Sequence, residues 1–180
     1  MKLWAALSNA FAGWVKILRG DAGWREHFAF TAPGLVTAIL IYFFFAFLAI
    51  AFASMNIGMP GLGGIASALI VQGLSLAALA LAIQGTKAAL KSSQPMLDLM
   101  VPGTYILVFY LIAGAFLSLI GGPILLLLWA ILGYLLYRLA RLATAWSLGV
   151  SLAFAVLTVL LLVAMPVTLY MLSNPAASPI

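Results

Sequence analysis

His27, flanked by Arg25 and Glu26, is the one place where this chain sets an imidazole, a carboxylate and a guanidinium side by side. A metal centre needs more. There is one histidine and no cysteine, so no second strong ligand completes a shell, and no thiolate can act as nucleophile. The expected role of His27 is that of a satisfied interfacial histidine. Ser147 and Ser151 have no base on the same helix to activate them. Their spacing with Ala155 reads instead as a small-residue helix contact. Neither a cofactor nor a catalytic residue is expected, and the chain reads as a non-enzyme. Gln72, the most central amide, should hydrogen-bond across helices, because an unpaired buried amide is costly. Arg138 and Arg141, preceded by Tyr134 and Tyr137, put two guanidinium groups near one helix end. They could clamp a lipid phosphate or a partner's acidic surface, or serve as topology determinants that snorkel to the interface.

The elements that position these groups follow from composition. With 67% hydrophobic and 6% charged residues, the chain has too little polar surface to cover a water-soluble globule of 180 residues. An all-α polytopic membrane protein is implied, because lipid satisfies no open strand. Apolar runs long enough to cross about 30 Å of hydrocarbon at ~1.5 Å per residue fall at 32–54, 61–85, 102–120, 123–140 and 145–172. The pair 102–120 and 123–140 also admits a re-entrant hairpin, turned through Gly121, Gly122 and Pro123. Lys2, Lys16, Arg19 and Arg25 precede the first run, Lys87 and Lys91 follow the second, and Arg138 and Arg141 follow the fourth. The turns at 55–61 and 121–123 and the tail at 173–180 hold no cation. By the positive-inside rule the N-terminus is cytoplasmic and the tail external, in a cytoplasmic (inner) membrane. The net charge of +5 therefore points to anionic phospholipid headgroups and not to nucleic acid. Asp21, Glu26 and Asp98, the only acids, lie outside the predicted spans. A proton-coupled carrier would need an ionisable group at mid-membrane.

Residues 1–30 form a separate cytoplasmic segment. Lys2, Asn9 and Lys16 recur every seven residues opposite Trp4, Leu7, Phe11, Val15 and Leu18, which predicts an amphipathic helix over 1–18 lying in the interface. A signal peptide is the competing reading, but its apolar stretch at 3–7 is too short. Trp14, Trp24 and Trp146 are expected in an aromatic belt. Small residues at helical spacing mark packing faces: Gly64 with Ala68, Gly73 with Ala77, Gly114 with Ser118 and Gly122, and Ser147 with Ser151. Pro166 should kink the last span. The connection at 86–100, with Lys87, Lys91 and Asp98, is the largest on the cytoplasmic side.

Five close spans, the Trp24-Arg25 pair before the first, Pro102-Gly103-Thr104-Tyr105 opening the third, and Trp129 leading to an arginine-bearing exit together resemble the Yip family of Rab-interacting membrane proteins and its bacterial relatives. The resemblance covers 22–172. Eukaryotic members carry a longer acidic N-terminus and an Asp-Leu-Tyr-Gly-Pro stretch, neither of which is present, so the chain is closer to the compact bacterial form. The function expected is that of a non-catalytic membrane-organising, scaffold or trafficking-type component. Its helix faces would pack against a second copy or another membrane protein. Its basic cytoplasmic face (Lys16, Arg19, Arg25, Lys87, Lys91, Arg138 and Arg141) would hold lipid headgroups or an acidic partner. The alternative is a small transporter or channel, or an accessory subunit of a larger membrane complex, built around Gln72, Tyr105 and Ser118.

Overall fold

The computed structural model of the chain describes residues 3–55, 58, 60–118 and 124–173. The first helix, α1 (Leu3–Arg19), ends where Gly20 takes a left-handed φ of 79°. The Gly20 and Asp21 amides donate back to the Ile17 and Lys16 carbonyls at 3.2 and 3.0 Å, closing its last turn. A 3₁₀ turn (Ala22–His27) follows, started by the Asp21 carboxylate, which accepts from the Gly23 amide at 2.9 Å. Thr31 then caps α2 (Ala32–Ala53), its hydroxyl accepting from the Gly34 amide, with Pro33 in the first turn where no N–H is needed. Four further helices complete the described chain: α3 (Leu62–Leu90), α4 (Leu97–Leu117), α5 (Ile124–Ala143) and α6 (Leu148–Ser173).

All five helices from α2 to α6 are long and apolar enough to cross a membrane. At ~1.5 Å per residue the 21 residues of α4 extend about 31 Å, so its length suits a full crossing. Consecutive helices joined by short links run antiparallel. They close into a ring in which α2 packs on α4, α4 on α5, α5 on α6, α6 on α3 and α3 back on α2. Within its apolar window α4 is 61% buried, against 22% for α2 and α3, so α4 is the hub while the others keep a lipid-facing side. The hub is buried continuously from Asp98 to Val108, because α1 and α3 cover what α2 and α5 leave open. Close approach to α3 depends on Gly103, where an added Cβ would lie 2.8 Å from a Leu79 methyl. Between α2 and α3 the Tyr42 hydroxyl donates to the Gln72 backbone carbonyl at 2.9 Å, with the Gln72 side-chain oxygen at 3.3 Å. The amide is thus part of a cross-helix bond.

Several boundaries differ from those expected. α3 continues five residues beyond 85 and stops at Leu90, after which Lys91 takes a left-handed φ of 51°. α4 starts at Leu97 and not at Pro102, and Pro102 stands inside it. The missing proline N–H deprives only the Asp98 carbonyl of a helical partner, which a position near the start tolerates. The connection expected over 86–100 therefore shrinks to 91–96, and Asp98 lies in the first turn of a span, buried. α6 begins at Leu148 and holds Pro166 internally.

Candidate functional site at the basic end of the bundle

The described cations lie on the C-terminal part of α1, in the 3₁₀ segment and at the C-terminal ends of α3 and α5. The α1 helix does not float beside the bundle: Ala6, Leu7, Ala10, Gly13, Trp14 and Ile17 are buried against α4, α5 and the 3₁₀ segment. Trp4, Phe11 and Leu18, at intervals of seven, remain exposed as a second apolar edge. Two apolar faces on one helix explain this placement, one in which Leu7, Trp14 and Ile17 pack among small residues against the bundle and one of large residues left exposed. The indole N–H of Trp14 donates to the Pro102 carbonyl at 3.1 Å, fastening α1 to the hub.

Trp14, Trp24 and Trp146 are 3%, 2% and 7% exposed, which overturns their expected place in an aromatic belt. Their rings fill gaps between elements: Trp24 meets Phe28 and Phe30, and Trp146 meets Phe154, all edge-on. The exposed tryptophan is Trp4.

Three of the seven expected contact cations are engaged inside the chain. Arg25 pairs with Asp98 at 2.6 Å and lies over the rings of Trp24 and Phe30, at 5.2 and 5.0 Å from their centroids. Arg138 donates to the Ile17 and Leu18 carbonyls at 3.2 and 2.8 Å, satisfying the C-terminus of α1 and complementing its dipole. Arg141 donates to the Trp146 carbonyl at 2.9 Å and holds the α5–α6 link. Arg25 and Arg138 thus join elements far apart in sequence and Arg141 holds a local link, which gives all three a structural role. Lys16, Arg19, Lys87 and Lys91 make no ion pair with other described residues and remain on the basic face.

Asp98→Asn is expected to cost about 1 kcal/mol, near the top of the range for an ion pair with one partner half in solvent. The loss should shrink in high salt. A double-mutant cycle with Arg25→Gln in detergent measures the coupling, and a coupling of zero would contradict it.

The small-residue rows divide. An added Cβ at Gly73 would reach the Phe43 ring of α2 at 3.5 Å, and one at Gly114 would reach Leu128 of α5 at 3.6 Å, so both lie at helix contacts. Ser151 is fully buried on the packed face of α6 with Ala155. Ala68 and Ala77 are half-buried. Gly64 is exposed, and its nearest neighbour is Pro60 of its own segment. Ser118 bonds the Ala115 carbonyl within its own helix. Ser147 precedes α6, its hydroxyl accepting from the Val150 amide at 3.4 Å, so it serves as a cap and not as a packing residue. Gly122 lies outside the described residues.

Beside α1 the same end of the bundle holds a cavity of about 350 Å³, walled by α1, the 3₁₀ segment, the start of α2 and α4. Its polar lining is Asn9, Glu26, His27, Thr31, Thr37 and Tyr105. In the sequence His27 stands as a lone interfacial residue and Tyr105 as a polar residue of the third span, a candidate for lining a pore. What brings them together is the docking of α1, which no local pattern encodes. Among the described residues no three His, Asp or Glu side chains gather to hold a metal. No family model, no curated protein and no solved structure matches the chain.

Proposed function

We propose that this protein is a non-catalytic component of the cytoplasmic membrane, of the Yip type, that organises lipid and partner proteins through its basic end. The observation that supports the reading most directly is a division of labour among the cations. Arg25, Arg138 and Arg141 fix the framework, while Lys16, Arg19, Lys87 and Lys91 make no ion pair with other described residues. Such cations suit anionic headgroups or an acidic protein surface, with the N-terminus on the cytoplasmic side and α6 ending outside. The apolar core of α4 and α5, with Leu107, Val108, Leu132 and Leu136 almost wholly buried, fits a packed bundle better than a conducting monomer.

Lipids retained by the purified protein test this reading. A surface cation contributes roughly 1 kcal/mol toward an anionic leaflet. Replacing all four residues by Gln should therefore lower retained anionic phospholipid at least tenfold, while permeability of reconstituted vesicles stays at background for both proteins. Unchanged anionic lipid and unchanged co-purifying proteins in the variant would exclude the basic face as the working surface.

A further inference from the structure

The cavity beside α1 has a composition unlike the grooves elsewhere on the molecule. Those between α2 and α4, between α5 and α6 and between α3 and α6 are lined almost wholly by apolar side chains, as surfaces against acyl chains should be. This one carries a carboxylate, an imidazole, a carboxamide and a phenol on an apolar floor that includes Phe28 and Val101. Its volume lies within the roughly 300–1,000 Å³ of small-ligand pockets. It lies at the basic end of the bundle, beside the N-terminus of α2.

Most informative is Tyr105. It is 6% exposed and lines the cavity, yet its hydroxyl makes no hydrogen bond with any described residue. The hydroxyl is not sealed inside the bundle but accessible, on a residue that lines the cavity, where a ligand can reach it. Asn9, Glu26 and His27 also form no hydrogen bond or ion pair with other described residues, whereas Thr31 and Thr37 are engaged with the Gly34 amide and the Pro33 carbonyl. Four polar side chains therefore line one cavity without a partner among the described residues, Asn9 and Glu26 exposed, His27 half-buried and Tyr105 buried. Their chemistry is mixed in sign. The Glu26 carboxylate accepts from a cation, while the Tyr105 hydroxyl, the Asn9 amide and a histidine N–H donate to an anion. The partial positive charge at the start of α2 favours an anion on its side.

We propose that this cavity binds a phosphoester carrying a primary ammonium, the headgroup chemistry of an aminophospholipid. The ammonium is taken by Glu26 and the phosphate by Tyr105, Asn9 and His27, with the acyl chains running down the exposed α2 surface past Val36 and Leu40. A quaternary ammonium has no N–H to donate to Glu26, and an anionic glycerol headgroup would bring a negative charge to it. The site therefore selects against both. It stands whether or not the protein acts as a scaffold.

The test uses the full chain in detergent with equimolar phosphatidylethanolamine and phosphatidylcholine of matched chains, scored by native mass spectrometry, with phosphatidylglycerol added as a third competitor only for the variant lacking the four basic-face cations. At least fivefold preference for phosphatidylethanolamine is expected. Glu26→Gln should bring that preference over phosphatidylcholine to parity, and Tyr105→Phe, which keeps the ring in place, should lower ethanolamine-lipid retention severalfold with an unchanged thermal midpoint. Absence of the preference in the parent chain, or its persistence in both variants, would overturn the assignment. Competition with soluble glycerophosphoethanolamine separates the sources: displacement marks the free headgroup as sufficient, and retention of lipid marks the chains as part of the ligand. The variant lacking the four basic-face cations should keep the preference, which separates this site from that surface.

Discussion

Trp14→Ala is expected to release α1 from the bundle. The indole is 3% exposed and its N–H supplies the bond to Pro102, so truncation empties the contact between α1 and the hub and leaves that bond unmade. Removing a fully buried tryptophan typically costs about 3–5 kcal/mol. The cost should fall locally, since α1 is tied to the bundle by one face, the Trp14 bond and the Arg138 clamp. Backbone amides of α1 should then lose protection from hydrogen exchange, and cleavage after Arg19 should accelerate, while α2 to α6 stay protected. Trp14→Phe, which keeps most of the apolar bulk, should cost about 1 kcal/mol for the lost hydrogen bond. Trp4→Ala is the control: at 78% exposure it should leave α1 docked. Equal protection of α1 in the parent chain and in Trp14→Ala would refute the role given to this side chain.

Gly34→Ala should be nearly as damaging, for a different reason. A Cβ on Gly34 would fall on the Ala29 carbonyl oxygen and within 2.8 Å of the Ala29 Cβ. The collision is with backbone, so no rotamer change relieves it, and the link at 29–31 must move. Overpacking of this kind costs about 1–3 kcal/mol. Because Ala29, Thr31 and Gly34 line the polar cavity, that movement should also reshape its rim. The expected result is a lower thermal midpoint together with weaker ethanolamine-lipid retention. Gly63→Ala provides the contrast: its added methyl would meet nothing within 4 Å, and a helical alanine is favoured over glycine, so stability should hold or rise. A thermal midpoint for Gly34→Ala equal to that of the parent chain would show that the close approach to Ala29 is not needed.

Neither Gly13 nor Gly34 stood out in the sequence, although both matter for packing. An added methyl at Gly13 would strike the Phe28 ring, a neighbour that exists only once the segment 20–31 folds back on α1, and one at Gly34 would strike the Ala29 backbone, which the turn into α2 brings close. Gly64, by contrast, had the spacing of a packing residue and faces outward. Spacing says which residues share a helix face. It does not say whether another helix covers that face.

Where the helices lie was legible because crossing hydrocarbon demands long apolar runs and because cations flank them on one side. These are constraints that each segment obeys alone, which is why five spans and a preceding amphipathic helix could be read directly. The ends were less legible, since α4 extends back through Pro102 to a buried Asp98 that is acceptable there only opposite Arg25. The roles of the arginines were not legible at all. A guanidinium near a helix end looks the same in sequence whether or not it meets the last carbonyls of α1, and only the packing of α1 against α5 brings Arg138 to them. Sequence by itself determined the membrane class, the helix count and the sidedness of charge, because lipid acts on each span separately. Tertiary structure alone decided which cations are spent, which tryptophans are buried and which polar groups face one cavity, because those depend on contacts between elements as distant as Trp14 and Pro102.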